Sequence, residues 1–166
     1  MFQTAFLLCT TLMASDGGVD TGFESPKALV TTMIKAISTG NDSICSQFVV
    51  DPKILLAAKG CPKEAQKRAL ENIKGNNESA VTACKKAIAD SKRRGEKVQL
   101  ISIENDPENM EIFKKGDGSG DCEVTTEFSR LRVEAKLKVK RKDKTKEKSK
   151  GFELLKLHDR YYWRAK

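Results

Sequence analysis

Acid–base chemistry needs a carboxylate or an imidazole set against a second titratable group. The chain has one histidine, His158, and it falls in a turn signal with Asp159. Glu123, Glu127 and Glu134 alternate with apolar neighbours near the C-terminal third. The inward rows read as Cys122, Val124, Thr126 and Phe128, then Leu131, Val133, Ala135, Leu137 and Val139. These rows carry no Asp, Glu or His, so no acid–base pair is visible and no catalytic residue is assigned. A one-residue slip in register would exchange the two faces, and is the way such a pair would be hidden.

Thiol chemistry is the next possibility. Cys9 lies in an apolar N-terminal run, leaving Cys45, Cys61, Cys84 and Cys122. An even number in a small exported domain suggests two disulfides, with three possible pairings. In a reducing compartment the same four would be buried free thiols. There is no CxxC and no Cys/His zinc spacing, so neither a metal site nor a cofactor is expected. Asp117 to Asp121 has the look of a calcium loop, but Cys122 stands where the turn glycine belongs and Phe128 where the bidentate Glu belongs. Asn41-Asp42-Ser43 and Asn77-Glu78-Ser79 are glycosylation sequons at expected helix caps.

The third chemistry is electrostatic. The net charge is +8 and the pI about 9.3. The excess concentrates at Lys136, Lys138, Lys140, Arg141, Lys142 and Lys144, and continues through Lys146, Lys148 and Lys150. On a strand, alternate lysines stand about 7 Å apart, a spacing suited to a repeating anion. No aromatic residue interrupts the run, so base stacking is not supported and binding would be sequence-independent and salt-sensitive. The plain alternative is a solvated hairpin whose lysines protect a sheet edge.

The elements that hold these groups are legible in order. Residues 1–15 read as a signal segment, with apolar runs at Ala5–Leu8 and Leu12–Ala14 but no basic residue before them. Their length is too short to span a bilayer. Residues 16–24 read as a flexible lead-in, and 25–166 as a single domain. Ser25-Pro26 and Asp51-Pro52 are cap-then-proline helix starts. Helices are expected to stop at Gly40, Gly60, Gly75 and Gly95. Strands follow: Val98–Ile103, Met110–Phe113 beyond a turn at Asp106-Pro107, and Cys122–Phe128. A bend at Ser129-Arg130 leads into Leu131–Val139, a strand with one dry and one basic face. Lys142–Gly151 reads as a loop or a frayed hairpin tip, followed by strands Phe152–Leu157 and Tyr161–Ala165, with Trp163 and Tyr161 inward and Tyr162 outward. The class is α+β: N-terminal helices packed on one face of a strongly curved antiparallel sheet.

The closing order Val133–Val139, a charged turn, Phe152–Leu157, then His158-Asp159-Arg160-Tyr161-Tyr162-Trp163 resembles small exported members of the nuclear-transport-factor-2-like superfamily, cones of the cystatin-like α+β type. The resemblance implies a concave ligand face, which in this chain would be lined by Phe48, Phe128, Leu137 and Trp163. Cone enzymes such as ketosteroid isomerases place acids inside that face, and the rows above lack them. The expectation is a secreted or periplasmic, non-catalytic binding or structural module, with a cytoplasmic protein as the alternative. Its partner would be a small apolar ligand or peptide in the concave face, or an anionic surface or polymer on the lysine-rich hairpin 136–150. Nucleic acid is not expected of an exported chain, and the basic outer face favours a monomer.

Overall fold

A computed structural model describes residues 22–164, without the side chains of residues 105–109. The expected signal segment, Cys9 and most of the lead-in lie outside those residues. Three helices, α1 (Pro26–Thr39), α2 (Pro52–Lys59) and α3 (Lys63–Arg94), precede the strands β1 (Glu96–Phe113), β2 (Gly118–Ser119), β3 (Cys122–Glu123), β4 (Phe128–Arg141), β5 (Lys144–Leu157) and β6 (Arg160–Arg164). A 3-10 turn, Ser43–Phe48, joins α1 to α2. The long strands pair antiparallel in the order β1-β4-β5-β6, and β2 and β3 form a separate short hairpin. The class is α+β, as expected, and the sheet is not closed.

The helix starts follow the sequence signals. Ser25 Oγ accepts from Ala28 N at 3.0 Å, and Asp51 Oδ1 accepts from Lys53 N at 2.7 Å. Each cap satisfies an amide that the helix leaves unpaired. Gly40, Gly60 and Gly95 end their helices in the left-handed conformation. Gly75 does not end one. α3 runs through it for 32 residues, held by the buried stripe Ile73, Ala80, Cys84 and Ile88. An interior glycine costs only about 1 kcal/mol against alanine, less than the burial of two such side chains contributes. Asn77 therefore lies within a helix, not at a cap, and its Nδ2 donates to Val50 O at 2.7 Å.

Four strand expectations also change, the first being that the expected strand Cys122–Phe128 is divided between β3, which ends at Glu123, and β4, which begins at Phe128. β1 is one strand with register shifts between Leu100 and Ser102 and between Asn105 and Met110, so Asp106-Pro107 interrupts the ladder without ending it. Bulges of this kind absorb a proline at a sheet edge. β5 begins at Lys144, not Phe152, because pairing with β4 continues to Arg141↔Lys144. And β4 has no bend at Ser129-Arg130. With the strand unbroken, Phe128 and Leu131 fall on opposite faces.

Two cores result. The first joins α1, the 3-10 turn and α3 to Val133, Ala135, Leu137, Phe152 and Leu154, with Tyr161 and Trp163 packed against it. The second joins Val50, Ala58 and Val124 to Phe128, Leu155, Leu157 and Tyr162, with Ile54 and Leu55 of α2 beside them. Thus α2 serves a different face from α1 and α3, and the helices are not confined to one side. Tyr162, expected outward, is 1% exposed, because the second core covers the face that alternation assigns it. At the N-terminal side Phe23 exchanges backbone hydrogen bonds with Tyr161 and partly covers the β6 edge.

Candidate functional site

The far end of the β4–β5 hairpin is a cationic arm. Residues 140–151 are all exposed, and only a two-residue loop, Lys142 and Asp143, separates the strands. Few apolar contacts hold it as a strand pair; the ladder does. On one face Lys136, Lys138 and Lys140 stand opposite Ser149, Glu147 and Thr145. On the other, Lys150, Lys148, Lys146 and Lys144 stand opposite Ala135, Leu137, Val139 and Arg141. Lysines therefore project from both faces. Between Lys136 and Lys150 nine basic residues meet two acids, a net +7 of the chain's +8.

Lys136 is the member of the arm with an ion pair: its Nζ lies 2.6 Å from Glu104 Oε1 on β1. That hydrogen bond, then the carboxylate charge, raises its pKa. Among the described residues, Lys138, Lys140, Arg141, Lys142 and Lys144 have no ion pair. Beside the arm lies an open cleft of about 390 Å³ between α1, α3 and the sheet, with Ile34, Ile37, Leu137 and Val139 below and Lys148 and Lys150 at its rim.

The four residues expected to line a concave pocket do not line a single cavity. Phe48 is fully buried, with its ring stacked 5.5 Å from that of Phe23. Leu137 lies in the floor of the cleft beside the arm. Phe128 and Trp163 share a separate small cavity near α2. Continuous β4 explains the division, since nine residues separate Phe128 from Leu137 and an odd separation puts them on opposite faces.

That small cavity, about 60 Å³, carries the site that reading the sequence missed. It is lined by Lys59, Arg130 and Arg164, by Asn76 and Asn77 of α3, and by apolar side chains that include Trp163. Arg130 is held by two neighbours from β1. Its guanidinium lies 4.6 Å from the centroid of Phe113, and Nη1 is 3.3 Å from Glu111 Oε2. Burial pushes the Lys59 ammonium below its usual pKa, and the charges of Arg130 and then Arg164 push it further. Arg130 is lowered for the same reasons, burial first and Arg164 second, against the opposing pull of Glu111. The three cations come from the end of α2, from β4 and from β6, so no spacing along the chain announces them. The available signal is parity, which sets Arg130 on the side of Phe128 once β4 is known to be unbroken.

The cysteines pair as Cys45–Cys84, joining the 3-10 turn to α3, and Cys61–Cys122, joining the α2–α3 link to β3. Glu123, Glu127, Glu134 and His158 are exposed. Among the described residues no group of three or more His, Cys, Asp or Glu could hold a metal ion, and no helix is long and apolar enough to cross a membrane. No family model, no curated protein and no solved structure matches the chain.

Proposed function

We propose that this chain is a binding module of an oxidising, extracytoplasmic space that holds anionic polymers through the β4–β5 arm. The observation that carries the reading is the exposed double ladder of lysines, with a local net charge of +7 and one ion pair to neutralise it among the described residues. Exposed charges in water attract a single anion weakly, but a polymer meets many at once and releases its counterions. Lysines on both faces favour a flexible chain that can wrap the arm. The two disulfides support export, and with it an acidic glycan over nucleic acid.

The test is affinity for a sulfated polysaccharide against salt, with single-stranded DNA as the comparison polymer. Binding is expected to fall steeply as salt rises. Charge reversal in the triple variant K140E/K142E/K144E should weaken it at least about ten-fold and flatten the salt slope. Affinity that ignores salt, or ignores the triple variant, refutes the reading. A preference for DNA would keep the arm and reject the glycan.

A second reading, a small apolar ligand or peptide, now rests on the cleft beside the arm. Its volume lies within the usual range for ligand sites, and its floor is apolar with a lysine rim. Such binding would survive high salt and be lost in a Val139→Asp variant.

A further inference from the structure

We infer that the cavity between α2, α3 and the β4–β6 end of the sheet is a site for a tetrahedral oxyanion of the phosphate or sulfate class, free or as the end group of a larger ligand. The site is separate from the arm and does not depend on what the arm binds. Three cations, Lys59, Arg130 and Arg164, line one cavity of about 60 Å³, and no carboxylate lines it with them among the described residues. A cavity needs roughly 10–15 Å³ on this measure to hold one water, so this one has room for an ion of several heavy atoms. Half-burial costs each cation part of its hydration, and their mutual repulsion adds to that cost. Glu111 beside Arg130 and Glu153 opposite Arg164 offset part of that cost without lining the cavity, and a bound anion would offset the rest.

The donor set also fits. Arginine presents paired N–H groups in a plane matched to oxyanions, and lysine adds a point charge. Phe113 and Glu111 already hold Arg130, which pre-orients the guanidinium and lowers the ordering cost of binding. The Asn77 amide is engaged by Val50 O, while Asn76 on the same wall is exposed and supplies a neutral donor. The apolar side chains around them exclude competing water and strengthen charge-assisted hydrogen bonds.

Trp163 is the single tryptophan of the chain and lines the cavity, so occupancy can be read from its fluorescence. The disulfide-intact protein is titrated with inorganic phosphate, sulfate and phenyl phosphate at constant ionic strength set by chloride, with melting temperature followed in parallel. Saturable quenching or enhancement, with a raised melting temperature, is expected for the oxyanions and not for chloride. K59Q and R164Q should each weaken binding about ten-fold or more, whereas K142Q/K144Q in the arm should leave it unchanged. Tighter binding of phenyl phosphate than of phosphate identifies an end group of a larger ligand; equal binding identifies the free ion. No saturable response in either signal, an equal response to chloride, or affinity unmoved by both K59Q and R164Q overturns the site. R164Q lies on β6 at the cavity wall and serves as the decisive variant if K59Q is poorly folded.

Discussion

The guanidinium of Arg130 lies 4.6 Å from the centroid of Phe113, and the same ring stacks on Phe128 at 4.7 Å with an interplanar angle of 13°. One phenyl group therefore ties β1 to β4 and also orients a half-buried cation. Leucine at position 113 would keep apolar bulk but lose both ring interactions. F113L is expected to destabilise the fold by roughly 1–3 kcal/mol in urea denaturation. A loss much below that would mean that the ring acts only as apolar filler.

Two glycines should respond in opposite directions. Gly60 has φ +56°, and a Cβ there would overlap Thr125 Cγ2 and the carbonyl oxygen of Glu123. Thr125 cannot retreat easily, because its N–H donates to Ala58 O at 2.9 Å and its hydroxyl to Ala57 O at 2.6 Å. G60A is expected to cost at least about 2 kcal/mol, from left-handed strain and overpacking together. Gly75 is helical, with nothing within 4 Å of the added carbon, so G75A should add about 1 kcal/mol. Thermal or denaturant unfolding of the pair reads both signs.

The crowding of Lys59 makes stability depend on pH. Its pKa in the folded chain is below 10.5, the value taken for the free side chain. The penalty of keeping it charged is full below the lowered folded pKa and fades as pH rises toward 10.5, where the unfolded chain also deprotonates. K59M should therefore be more stable than the native chain at about pH 7, and the gap should shrink as the alkaline range is approached. Paired denaturation curves at two pH values subtract the titration of other groups. A gap that does not change with pH would assign the gain to packing by methionine.

Much of the fold was legible because it is written in local signals. Ser25-Pro26 and Asp51-Pro52 start helices, and Leu131 to Val139 alternate as a half-buried strand must. The four cysteines announced two bridges, though not their pairing, which is a fact of three-dimensional approach. Where local chemistry and pairing disagree, pairing prevailed. Residues 144–149 contain no apolar alternation, yet they form a strand because β4 offers a ladder. Gly75 looks like a stop, yet the residues on either side of it share one buried stripe. The cation cluster was illegible for a related reason: Lys59, Arg130 and Arg164 each look ordinary in their own element, and only the continuity of β4 and the placement of α2 bring them to one cavity. The arm is the opposite case, since a charge run along a single hairpin can be read directly from composition.

The disulfides Cys45–Cys84 and Cys61–Cys122 interleave along the chain, and the second spans 61 positions. Under tension between the N-terminal side and the lysine arm, the load passes through sulfur from Cys61 to Cys122. α3 and the whole of β1 lie inside that shortcut and bear little of the pull. Roughly 200 Å of extensible contour is thereby kept out of the force path. A molecule gripping a surface through its arm would behave as a short, stiff tether while oxidised, and would become a much longer and slacker one after reduction.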